Sequence, residues 1–157
     1  SARVKFTVAE RCLPVSGAET CGSLTSSNRN AWPDVPFDLI CAADKPCTDQ
    51  PSPAFFTRKR LTDVTTQVYD GAGTADSDFR SVNAWHLDQS FPDPGDGSDP
   101  GLWLKSIQHT GKAGTAISLP AVTFSGVQLH NRVDKIGDVV APFIKWRVRT
   151  VTSETGS

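Results

Sequence analysis

The sequence predicts an all-β domain: an antiparallel, sandwich-like set of hairpin repeats with an irregular insert tied down by disulfides. Three observations carry this. Apolar and polar residues alternate in several stretches, and no stretch of useful length keeps the helical interval. Turn formers are abundant, with 12 Gly, 11 Pro and 14 Asp against 3 Glu. Asp favours loops because its short carboxylate competes for nearby backbone N–H groups. The third observation is that Cys12, Cys21, Cys41 and Cys47 all fall in the one window where alternation is lost.

The elements follow in chain order. "RVKFTVA" sets Val4, Phe6 and Val8 against Arg3, Lys5 and Thr7, the period of two of a half-buried strand. Residues 10–57 form the insert. There "NAWPDVPFDLICAADKPC" shows no period beyond one helical turn around Asp38–Ala42. So long an irregular stretch is costly to order without cross-links, and the cysteines lie within it. Residues 58–157 return to strands in a repeat-like series. "KRLTDVTTQVYDG" is β-branched and ends on an Asp70-Gly71 turn. "VNAWHLDQSF" runs to Pro92, the turn-dense "PDPGDGSDPG" follows, and then come "LWLKSIQHTG" and, after Gly114, "AISLPAVTFSGVQL". In "FIKWRVRTVTSETG" Ile144, Trp146 and Val148 face one way and Lys145, Arg147 and Arg149 the other.

The cysteine spacings lack the tight C-x2-C pairs of a zinc ribbon and fit a disulfide framework. Pairing neighbours, Cys12 with Cys21 and Cys41 with Cys47, closes two short loops. The two other connectivities stay open on sequence. Disulfides place the chain in an oxidising setting, secreted or at the cell surface. No signal peptide shows in "SARVKFTVAE", and no apolar run approaches the ~20 residues that span a bilayer. The absence of any Met fits a piece of a longer protein. At 157 residues the chain is one domain, and its net charge of −1 gives no basic excess to hold nucleic acid.

One cadence recurs. Leu61 is followed three residues on by Val64, Leu104 by Ile107, and Val148 by Val151, at intervals of 43 and 44 residues. A glycine follows each pair, at Gly71, Gly111 and Gly156. Equal spacing with one local pattern points to an internal repeat built from strand pairs.

The segments "KRLTDVTTQVYDG", "VNAWHLDQSF", "LWLKSIQHTG", "SLPAVTFSGVQLHNRVD" and "FIKWRVRTVTSETG" resemble the β-rich regions of large secreted actinobacterial YD-repeat (Rhs) proteins. They are also similar to related insecticidal-toxin and SpvB-like chains. An R-L-x-x-I motif of that group is matched at Arg60-Leu61…Val64, Trp103-Leu104…Ile107 and Arg147-Val148…Val151. The resemblance covers Arg58 to Gly156. The chain departs from it in the cysteine-bearing insert and in having a single Tyr-Asp pair, in "VYDG" at Val68–Gly71. What the resemblance implies is a non-catalytic shell or scaffold segment whose partners are the flanking domains of a parent protein.

The residues offer little chemistry of their own. His86, His109 and His130 have neither a G-x-S-x-G elbow nor an H-E-x-x-H motif beside them, and Glu10, Glu19 and Glu154 lie far apart. The pairs Asp88/Asp93 and Asp76/Asp78 have the residue types for glycoside hydrolysis, but turns rich in Asp produce such pairs freely. Thus no catalytic residue is expected, and no cofactor. Were Ca²⁺ bound, the place for it is "DPGDGSDPG", where Asp93, Asp96 and Asp99 offer oxygen ligands at three-residue steps. A hairpin loop whose Asp side chains bond nearby N–H groups explains the same residues. Among the aromatics, Trp85 and Trp146 share strand faces with core residues. Trp103 is out of phase with Leu102 and Leu104, and Trp32 lies in the insert, so these two are the candidate sugar-stacking rings. A carbohydrate-binding β-sandwich module that holds cell-surface glycan is therefore the alternative to a structural segment.

Overall fold

The alternating segments become the strands of one antiparallel sheet. This is a computed structural model, and it describes residues 1–13, 21–41, 44, 46–48, 55–71, 75–131 and 143–156. The strands are β1 (Ala2–Glu10), β2 (Lys59–Tyr69), β3 (Phe79–Ser90), β4 (Trp103–Gly111), β5 (Ile117–Ser118), β6 (Val122–His130) and β7 (Ile144–Thr152). They lie in the order β1-β2-β3-β4-β6-β7, with the short β5 beside the end of β4. Every long strand therefore pairs with its neighbour in sequence. The all-β antiparallel class is as expected, and the described strands make a single layer. Among the described residues helix is limited to three 3-10 turns, Arg29–Ala31, Phe37–Leu39 and Asp76–Asp78. The turn expected near Asp38 is the second of these, and Ala42 lies outside the described residues.

Cross-strand partners point to the same side of a sheet, so register assigns the faces. Val4, Phe6 and Val8 of β1 lie opposite Thr66, Val64 and Leu61 of β2. Val64 then meets Trp85 of β3, and Leu87 meets Ile107 of β4. One face of the sheet thus carries a row of apolar residues across the strands, with Thr66, Asn83, Gln89 and His109 among them. The other carries Arg3, Lys5, Asp63, His86, Asp88 and Ser106.

Leu61 and Val64 share this apolar face although residues three apart on a regular strand point to opposite sides. A bulge makes the difference. Val8 pairs with Leu61 but Thr7 pairs with Asp63, which leaves Thr62 as an extra residue. The same happens twice more. Gln89 faces Leu104 and Asp88 faces Ser106, with Lys105 extra. Gly126 faces Val148 and Ser125 faces Thr150, with Arg149 extra. The hairpins β1–β2, β3–β4 and β6–β7 therefore carry one bulge each, directly after the first apolar residue of the cadence; a further one between β2 and β3 leaves Val82 extra. The cadence of the sequence is this extra residue.

The insert packs at the end of the sheet where β1 finishes and β4 begins. It holds the buried cluster of Cys12, Ala31, Trp32 and Val35, with Cys21 and Leu24 packed against it. Disulfides join Cys12 to Cys21 and Cys41 to Cys47, with Cα atoms 5.7 and 5.9 Å apart. Neighbour pairing is thus the connectivity among the three that spacing allowed. Asp34 fastens insert to sheet. Its carboxylate accepts from the Arg11 guanidinium at the end of β1 and from the Leu102 backbone N–H at 3.1 Å, just before β4.

Candidate functional site

Trp32, one of the two candidate stacking rings, is 1% exposed. Its Nε1 donates to Glu10 Oε2 at 3.3 Å, so the polar edge is satisfied and the ring sits in the insert core. It borders a hollow of about 580 Å³ with Arg29, Pro36 and Asp99, but presents no open face for a sugar to stack upon. Pro33 beside it reads as an exposed loop in sequence. The packing that buries it comes from Cys12 and Val35, which are distant along the chain.

Trp103 is half-buried, and its ring lies 6.1 Å from that of Trp146, tilted by 54°. Gly126 makes this possible. A Cβ there would stand 2.7 Å from Cε3 of Trp146 and 3.1 Å from the Trp103 ring, so only glycine fits. Trp146 Nε1 donates to the Asp93 carbonyl at 2.9 Å, which ties the ring to the Asp-rich loop. The two indoles border a hollow of about 200 Å³ that Pro94, Lys145 and Arg147 complete. This is below the ~300 Å³ at which small-molecule sites usually begin.

The three aspartates of that loop do not converge. Asp93 accepts from Gly95 N–H at 2.7 Å. Asp96 accepts from the Ser98 N–H and hydroxyl through Oδ1, and from Ile144 N–H through Oδ2 at 2.5 Å. These donors, Ile144 N–H first, hold the Asp96 carboxyl down to about 2. Lys145 Nζ reaches the Asp99 carbonyl at 3.4 Å. Asp96 thus acts as a clasp between loop and β7. Among the described residues no three His, Cys, Asp or Glu side chains gather as a metal site would require.

The remaining candidates are separated by the sheet. His86 Nδ1 meets Asp63 Oδ1 at 2.8 Å on the polar face. Burial pushes the Asp63 carboxyl up, but hydrogen bonds from His86 and Thr62 outweigh it and leave it lowered. His109 lies on the other face, stacked on Trp85 at 4.9 Å and 8°, with Nε2 2.9 Å from Asn83 Oδ1. His130 stands at the exposed end of β6. Asp88 is bound to Lys105 at 2.7 Å, and Asp76 to Arg3 at 2.7 Å and Lys5 at 3.1 Å. Those cations lower both carboxyls. Asp78 accepts from the Ala75 N–H. Neither aspartate pair forms a facing couple across a cleft. Glu10 is held low by Lys59, Glu19 lies outside the described residues, and Glu154 follows β7.

What remains is surface. β1 and β7 are the two outer strands, and their apolar side chains stand open: Val4 53%, Phe6 64%, Val8 57%, Val148 57% and Val151 51% exposed. The counterparts of the last two at the other bulges, Leu61 and Val64, Leu104 and Ile107, are partly buried. Exposure here follows from having, among the described residues, no strand alongside. The repeated cadence was the signal for these positions, but only the sheet order shows which copies are outermost. No helix of the described residues is long and apolar enough to cross a membrane. No family model, curated protein or solved structure matches the chain.

Proposed function

We propose that this chain is a non-catalytic structural or interaction segment of a large secreted YD-repeat-type surface or toxin-associated protein. The carrying observation is the pair of open edges, β1 and β7, each lined with apolar side chains more than half exposed. Unpaired N–H and C=O groups beside such residues form an association site. In the parent protein these edges meet flanking domains. The two disulfides support an extracellular address. Asp63, Asp76, Asp88 and Asp96 serve cross-strand or loop pairing, which supports a scaffold in place of an active centre.

Hydrogen exchange tests this in the polypeptide encoded by the complete reading frame, compared with the 157-residue chain. The outer amides of β1 and β7 are expected to exchange freely in the short chain held dilute and monomeric, and slowly in the long one. Equal, free exchange in both would refute the proposal.

A second reading, an extracellular carbohydrate-binding module, is favoured by one feature, the Trp103–Trp146 hollow with Arg147 at its rim. Saturable binding on a glycan array, lost on Trp103→Ala, would replace the first reading with this one.

A further inference from the structure

We propose that β7 of one molecule accepts β1 of a second copy of this chain, in antiparallel head-to-tail pairing with Val151 opposite Val4. This rests on the reading of β1 and β7 as interaction edges, and gives the partner and register they take when no flanking domain covers them.

The three hairpins supply the argument. Within them, Phe6 faces Val64, Leu87 faces Ile107 and Phe124 faces Val151. Each of these second-strand residues also has an outer side, toward the next hairpin. Val64 there meets Trp85, two residues before Leu87. Ile107 meets Val122, two residues before Phe124. Both junctions follow one rule. Applied to Val151, the rule calls for the residue two before Phe6, which is Val4. The chain thus carries both halves of a third junction, one at each edge.

Direction and facing agree. Strand polarity alternates from β1 through β7, so β1 of a following copy runs antiparallel to β7. Val151 and Val4 both belong to the apolar face, so its row of apolar residues continues from one molecule to the next. Val4 and Phe6 on β1 and Val148 and Val151 on β7, all more than half exposed, lie along the two edges that the junction joins.

Charge disfavours two of the like-with-like registers. Setting Val151 against Val4 places Thr150 opposite Lys5 and Thr152 opposite Arg3. Both cations are already bound to Asp76 within their own molecule. β1 against a second β1 about Lys5 would instead juxtapose the two lysines, and β7 against itself about Val148 would set Arg147 against Arg149. Like charges directly opposite are destabilising. Because β7-to-β1 pairing joins two different surfaces, it does not close on itself as a two-fold dimer does.

Sedimentation velocity of the 157-residue chain over a concentration series is the first test. Species growing beyond a dimer are expected. A strict monomer at all concentrations, or a closed dimer, would overturn the inference. Thr150→Glu, opposite Lys5, is expected to strengthen association by roughly two- to five-fold, and Thr150→Lys to weaken it by a similar factor. Thr150 is exposed, so both variants keep the fold, which circular dichroism checks. Equal effects of the two would count against the register. Val4→Cys and Val151→Cys variants, mixed and oxidised, should give mainly the mixed cross-link. Predominant Val4–Val4 or Val151–Val151 links would refute the polarity. A monomeric chain whose edges are still protected in the complete polypeptide removes this inference and keeps the function. Self-assembly with unprotected edges there does the reverse.

Discussion

The disulfide-tied insert and the sheet bury their apolar residues in contrasting ways. In the insert, Cys12, Ala31 and Trp32 are each 1% exposed and Val35 7%. In the sheet, no described apolar residue reaches that level, and the one buried side chain is Gln67, bonded to Arg3 and Ser81. The part that looks irregular in sequence holds a closed cluster. The part that looks regular is open. A single layer of strands satisfies its backbone through the ladder but leaves both faces in contact with water unless something covers them. The cluster in the insert needs no such cover, because its cross-links shorten the loops that must be ordered and Cys12, Ala31, Trp32 and Val35 pack on one another, while Leu39, Ile40, Phe55 and Phe56 stand exposed. Regular secondary structure and a finished core are therefore separate achievements, and here they occupy separate regions.

Four measurements break or sharpen this contrast. Trp32→Ala should have the largest effect, about 3–5 kcal/mol of the insert's stability by denaturant titration, because it empties the centre of the only tight cluster described. If the insert were merely draped over the sheet, the loss would be far smaller. Replacing Cys12 and Cys21 together by Ser should cost about 2–3 kcal/mol, the entropy of a loop of that length, and should leave the strand signal in the far ultraviolet largely intact. A collapse of that signal would mean the sheet depends on the insert.

The third comparison uses the recurring bulge. Leu104→Ala, on the inner strand β4, should destabilise by about 1–2 kcal/mol, scaled down from full burial. Val148→Ala, at the equivalent place on the outer β7, should stay within about 0.5 kcal/mol in dilute monomer. Similar costs would mean that the edge is not as open as it stands here. The smallest effect concerns the Asp96 clasp. Its folded carboxyl titrates at about 2, below the ordinary carboxylate range, so its contribution is complete above about pH 4. That contribution fades as pH falls toward 2. Trp146 fluorescence should report the loop parting from β7 in that window, and Asp96→Asn should remove the transition.

Strand alternation made β1 and β7 legible, because period two over Val4–Val8 and Ile144–Val148 has few other meanings. Neighbour pairing of the cysteines was legible as one option among three. The cadence was legible as pattern but not as mechanism, since a spacing of three contradicts a strand until an extra residue is counted. Trp103 and Trp146 meet through Gly126, and nothing local in "TFSGVQL" announces that a glycine is holding room for two indoles. The burial of Trp32 is hidden for a similar reason: its neighbours Pro33 and Asp34 signal a loop, while its burial is decided by Cys12, 20 residues earlier in the chain. Asp34 itself gave no sign that it would join Arg11 to Leu102.

Thr62, Lys105 and Arg149 differ in size, charge and polarity, yet each directly follows the first apolar residue of its cadence. What they contribute is a count. Exchange one for another residue and the strand downstream keeps its orientation. Remove one, and every side chain beyond it on that strand rotates to the opposite side, sending valines toward solvent and threonines inward. At these three sites the chain should tolerate substitution and refuse deletion, so that length is inherited more strictly than identity.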